Sequence, residues 1–195
     1  KFAAAHDRFH LYITTQNDPH EELRIAAEYY SAICSLYLFH KDAEYMLEKF
    51  VLEHPDTPWV LRVYYELATY NYKRKKYKKA LEWFEYVDPR DLTSEQLTEF
   101  YFKRGHCYFQ NEDFENAKQD LREIKDLETE YKTPATYYYS HIAYSEGNNQ
   151  TALDGFTALT HDENFAPIVP YYITQIYYKQ GRYEKVLEYA PPLLD

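Results

Sequence analysis

The sequence predicts an all-α chain, a solenoid of about five stacked antiparallel helix pairs, on three observations. Gly and Pro together number 13 of 195 residues, below the roughly 12% usual for the two, too few for a turn-rich β fold. A short pattern centred on a small residue recurs at Ala5, Ala43, Ala80, Ala117 and Ala152, at separations of 38, 37, 37 and 35 residues, with a weaker copy at Val186 34 residues on. Repeats of this length are stacked supersecondary units. Before each complete copy, apolar residues fall at i, i+3, i+4 and i+7, the period of an amphipathic helix.

Each element has its own boundary signals. Breaks at 15–20, 54–58, 88–94, 126–134 and 161–167 divide the chain into a truncated unit at 1–17 and repeats near 18–56, 57–92, 93–132, 133–165 and 166–195. Thr57-Pro58 and Thr133-Pro134 offer a capping hydroxyl ahead of a first-turn proline. Thr93 and Gln96 have capping-box spacing. Tighter turns inside the pairs are expected at Lys75-Lys76, Asn111 to Asp113, Gly147-Asn148 and Gly181-Arg182. About eleven helices follow, with a half pair at the start and no polar cap at either end. The absence of an initiator Met suggests a piece of a longer chain.

Composition excludes several functions. The four glycines are never clustered, so no Gly-rich loop can cradle phosphates. The net charge is −10, which repels a nucleic-acid backbone unless the cations are segregated. No run is long and apolar enough for a membrane span. Cys34 and Cys107 lie 73 residues apart in helical patterns and read as separate buried thiols. Neither a cofactor nor a metal is expected.

The repeat resembles the tetratricopeptide repeat (TPR), W-x2-L-G-x2-Y followed by A-x3-F and P. The residues that carry the likeness are Tyr64, Leu67, Ala68, Ala80, Phe84 and Pro89; then Tyr101, Gly105, Tyr108, Ala117 and Leu121; then Ser140, Gly147, Ala152 and Phe156; and Ile173, Tyr177 and Gly181. An early copy has Tyr30, Ser31, Cys34, Ala43, Leu47 and Phe50. Asn71 and Arg104 depart from the pattern, and Ala190 and Pro191 cut the last helix short. The resemblance implies a right-handed α-α superhelix whose first helices line a concave, partner-binding side. The YKRKKYKKALEWF segment, the terminal paired prolines and the aromatic runs also resemble the amino-terminal arrays of large bacterial TPR proteins, which favours the periplasm over the cytoplasm.

On those first helices, residues not used by the repeat pattern recur in pairs seven apart: Tyr65 and Tyr72, Phe102 and Phe109, Tyr137 and Tyr144, and Tyr171 and Tyr178. Seven residues return to nearly one azimuth. Thr69, His106, His141 and Gln175 sit between them. These twelve residues predict an aromatic, hydrogen-bonding groove for about nine residues of extended peptide. The earliest complete copy has Glu28 and Ser35 instead, so the groove begins after it. The same reading expects Tyr137→Ala with Tyr144→Ala to spare the fold, and the histidines to make affinity vary between pH 5.5 and 7.5. The aromatics disfavour the carboxylate clamp of TPR co-chaperones.

Lys73, Arg74, Lys75, Lys76, Lys78 and Lys79 form a basic tip, either a solvated turn or a contact for an anionic surface. HDRFH, with His6 and His10, imitates a zinc motif but lacks a third ligand and reads as a helix surface. The expected function is a non-catalytic module that binds a protein or peptide. A scaffold segment of a longer superhelix, including self-association, and a glycan-binding surface are the alternatives.

Overall fold

Ala43, Ala80, Ala117 and Ala152, the centres of the repeat, are wholly buried, each in the first turns of the second helix of a pair. The chain, seen in a computed structural model that describes residues 1–191, runs α1 (Phe2–Thr15), α2 (Glu22–Tyr37), α3 (Ala43–Glu53), α4 (Trp59–Lys73), α5 (Tyr77–Phe84), α6 (Ser94–Gln110), α7 (Phe114–Ile124), α8 (Lys132–Ser145), α9 (Asn149–Ala158), α10 (Val169–Lys179) and α11 (Tyr183–Tyr189). A 3-10 turn at Pro89–Asp91 precedes α6. No strand occurs among the described residues. Pro192, the second of the paired prolines, and the end of the expected last repeat lie outside them.

The chain divides into two compact units, Lys1–Asp88 and the segment from Pro89 onward. In the first, α1 lies on α2, and α3, α4 and α5 follow with each packed on its predecessor. Tyr29, Ala32, Leu47, Phe50, Val60, Val63 and Leu67 form its core. In the second, α6 through α11 repeat that succession. Its apolar residues gather around Leu121, Ile124 and Ile142, and again around Phe156, Ile173 and Ile176. Pairs stacked in chain order make this an all-α fold of the α-α solenoid class, in which a helix hides one stripe against its partner and another against the next pair.

Sequence reasoning missed one device that ends all five first helices. Phe39, Lys75, Glu112, Gly147 and Gly181 have φ of 59°, 59°, 62°, 78° and 70°. The amide after each donates five residues back, from His40 to Ser35, Lys76 to Asn71, Asp113 to Tyr108, Asn148 to Ala143 and Arg182 to Tyr177, at 2.7 to 3.0 Å. This is the Schellman closure of a helix. Only two of the five are glycine, so the turn at Phe39 carried no sequence signal.

Two expected caps are corrected. Thr57 donates its hydroxyl back to the His54 carbonyl at 3.0 Å, and α4 starts after Pro58 without a side-chain cap. Helix α8 begins at Lys132, which puts Thr133 and Pro134 inside its first turn, where a missing N–H costs nothing. The box at Thr93 and Gln96 forms, with bonds of 3.2 and 3.1 Å. Cys34 and Cys107 are free and buried, and burial pushes the Cys107 thiol up to about 12.

Candidate functional site: aromatic faces of the first helices

In the second unit, Phe102, His106 and Phe109 on α6, Tyr137, His141 and Tyr144 on α8, and Tyr171, Gln175 and Tyr178 on α10 each share one helix face, being four and three residues apart. None of the nine is fully buried. Their surroundings differ from helix to helix. Phe102 stacks on Tyr131 at 4.9 Å. Phe109 lies 4.9 Å from Tyr138 and edge-on to His141 at 5.3 Å. Tyr137 stacks on Phe165 at 4.7 Å and also meets Phe156 and Tyr172. Tyr144 meets the edge of Tyr172 at 5.5 Å. The Lys179 ammonium donates to the Tyr144 hydroxyl at 3.1 Å and stands 4.7 Å over its ring. Tyr171 and Tyr178 are 52% and 62% exposed.

Two residues that sequence reasoning passed over organise this surface. Tyr138 sits among Phe102, His106 and Phe109, and Tyr172 among Tyr137, His141 and Tyr144. Each follows a stripe residue directly, so its side chain is turned about 100° around the helix toward the preceding first helix. The Tyr runs at 137–139 and 171–172 were the available signal. Tyr137 contacts the fully buried Phe156, so Tyr137→Ala opens the core. The expectation that the Tyr137 and Tyr144 pair could be removed without cost to the fold is therefore corrected.

The titration expected of His106 is corrected too. Burial lowers the His106 pKa from 6.5 to about 4, and burial lowers that of His141. His106 Nε2 is 3.1 Å from the Gln110 amide nitrogen, and His141 Nδ1 is buried without a hydrogen-bond partner. His106 is thus neutral across pH 5.5 to 7.5 and supplies no titration there.

In the first unit, Tyr65 is 8% exposed and Thr69 7%; the Thr69 hydroxyl has no hydrogen-bond partner. Tyr72 is half-buried against Tyr77, with ring centres 6.1 Å apart. The basic segment closes on α3 of the same unit. Lys79 reaches Glu44 at 3.0 Å and Glu48 at 2.8 Å, Lys76 reaches Glu44 at 3.3 Å, and Arg74 lies 4.0 Å from Glu44. Burial alone would raise the Glu44 pKa, but Lys79, Asn71 and Lys76 hold it below the ordinary carboxylate value. Lys73, Lys75 and Lys78 remain exposed. On α1, the His6 ring lies parallel to His10 at 6.3 Å and edge-on to His40 at 5.2 Å. Among the described residues, no cluster of three metal-ligating side chains includes His6 or His10.

The helix pairs define the chain as having a TPR-like fold, and comparison with solved structures agrees. A tetratricopeptide repeat protein from Parabacteroides merdae superposes with a TM-score of 0.62 at 14% identity, covering 99% of this chain and 72% of that one. A kinesin light chain of nearly identical TPR-like repeats from Podosopora anserina superposes at 0.58 with 16% identity, covering 87% and 92%. A substituted form of the latter gives 0.59 at 15% identity, covering 93% and 89%. At these identities the likeness is one of fold. No protein-family model matches the sequence, and no curated protein does. Among the described residues, no helix is long and apolar enough to cross a membrane.

Proposed function

We propose that the chain is a non-catalytic binding module and that the aromatic faces of α6, α8 and α10 dock an extended segment of a protein partner. One observation carries this reading: Tyr171 and Tyr178 stay more than half exposed, at the positions on α10 that match the half-covered rings of α8 and α6. Tyrosine presents a flat apolar body with a polar tip, which suits an interface. Three first helices spaced about 8 to 10 Å apart offer on the order of 20 Å, room for about six extended residues. His106 enters as a neutral hydrogen-bonding group beneath the segment, and burial disfavours the charged form of His141 beside it. The partly covered rings of Phe102, Phe109, Tyr137 and Tyr144 also favour a second reading, a scaffold whose tyrosines chiefly join successive repeats. The glycan reading gains no observation of its own.

A displayed library of short peptides separates the two. The docking proposal expects enriched peptides whose capture is lost in Tyr171→Ala with Tyr178→Ala, while the melting temperature is unchanged because both rings are exposed. No enrichment, or capture that survives the double substitution, leaves the scaffold.

A further inference from the structure

A feature of the first unit is independent of the aromatic faces. A cleft of about 610 Å³ is lined from α1, α2, α3 and the loops that follow each of them, and His10, His20 and His54 face it together with Glu28, Asp42 and Glu53. Three of these converge: one donor atom each from Glu28, Glu53 and His54 lies within 4.8 Å of the other two.

The fold holds these three groups in place. His54 is the C-cap of α3, its amide donating to the Phe50 carbonyl at 2.9 Å, and its ring lies against Phe50 at 4.9 Å. Its Nε2 is 2.7 Å from Glu28 Oε2 on α2. The other Glu28 oxygen accepts from Arg24 Nε at 3.1 Å, and Arg24 is itself anchored by donating to the Gln16 carbonyl at 2.6 Å. Glu53 is the last residue of α3, with only an exposed, 3.6 Å pairing to Lys49. A simple imidazole–carboxylate pair needs one acid, and here Glu53, the residue before His54, places a second carboxylate oxygen within 4.8 Å of both.

We infer that Glu28, Glu53 and His54 bind a divalent transition cation of the zinc class, which ties α2 to the C-terminus of α3. One imidazole nitrogen with two carboxylate oxygens is a zinc-type donor set, whereas magnesium and calcium take oxygen ligands. Arg24 orients Glu28 from behind, as outer hydrogen bonds do for metal-bound carboxylates. The cleft leaves the remaining coordination positions to water or to His20. The role is structural, since binding to the folded state alone stabilises it by mass action.

The test is a zinc titration of the EDTA-stripped protein against a chromophoric chelator, with magnesium as the control and thermal melting in parallel. One zinc per chain is expected, with a rise in melting temperature that magnesium does not give. Removing a direct ligand should cost at least the roughly 10–100-fold in affinity that loss of an outer partner costs, so Glu53→Gln and His54→Asn should each show that fall. Glu53 is exposed, so Glu53→Gln keeps the fold and decides the matter even if His54→Asn does not fold. Absence of zinc binding, affinity unchanged in Glu53→Gln, or binding abolished instead by His6→Ala with His10→Ala would each overturn the assignment.

Discussion

Gly155 sits where α9 crosses α8, and a Cβ there would stand 1.8 Å from the Ser140 hydroxyl oxygen and 3.0 Å from its Cβ. That hydroxyl is held by its bond to the Thr136 carbonyl at 2.7 Å, so it cannot swing aside freely. Gly155→Ala is therefore expected to cost about 1 to 3 kcal/mol, the usual range for overpacking, read as a lower urea midpoint. Ser140→Ala in the same chain should recover part of the loss by removing the nearer atom. An unchanged midpoint in the single variant would show that the pair relaxes without strain. Arg104, which breaks the repeat pattern, is explained at this scale as well. Its guanidinium grips Asp120 of α7 with two bonds of 2.7 Å and lies 4.4 Å over the Phe100 ring. A charged side chain thus does the joining that an aliphatic one would do.

At the level of elements, helix α6 carries both a consensus packing edge and a half-buried histidine. His106 has a folded pKa of about 4 against an ordinary 6.5, so between those values the unfolded chain binds more protons. Its contribution is complete above about pH 6.5 and is lost as the pH falls toward about 4, at up to about 1.4 kcal/mol per pH unit. Urea unfolding across that window should show stability dropping with acidity, and His106→Gln should flatten the slope. An identical slope in the variant would assign the dependence to other groups. The basic segment shows how an element changes the meaning of a charge run. Six cations in seven residues suggested a free positive tip, yet Glu44 and Glu48, more than twenty residues upstream, meet Arg74, Lys76 and Lys79 and fasten α5 to α3. Nothing in the local run announces those acids.

For the whole molecule, the expectation is that residues 89–195, expressed alone, keep their helical circular-dichroism spectrum and a cooperative melt. Their apolar groups are buried around Leu121, Ile142, Phe156 and Ile173 within that segment, and repeat stability is largely nearest-neighbour. A featureless spectrum would show that the first unit is required. The helical class, the repeat length and the buried alanines were readable along the chain, because a period near 3.6 and a period near 36 are both properties of residue order. So was the placing of the aromatic pairs on one azimuth of each first helix. Which of those rings face water was not readable, because azimuth says nothing about what the neighbouring helix brings. Packing supplied Tyr138 and Tyr172 to half-cover the rings of α6 and α8, left Tyr171 and Tyr178 open, and drew Glu28 of α2 beside Glu53 and His54 at the end of α3. Those outcomes depend on distances between elements, which exist only once the pairs have stacked.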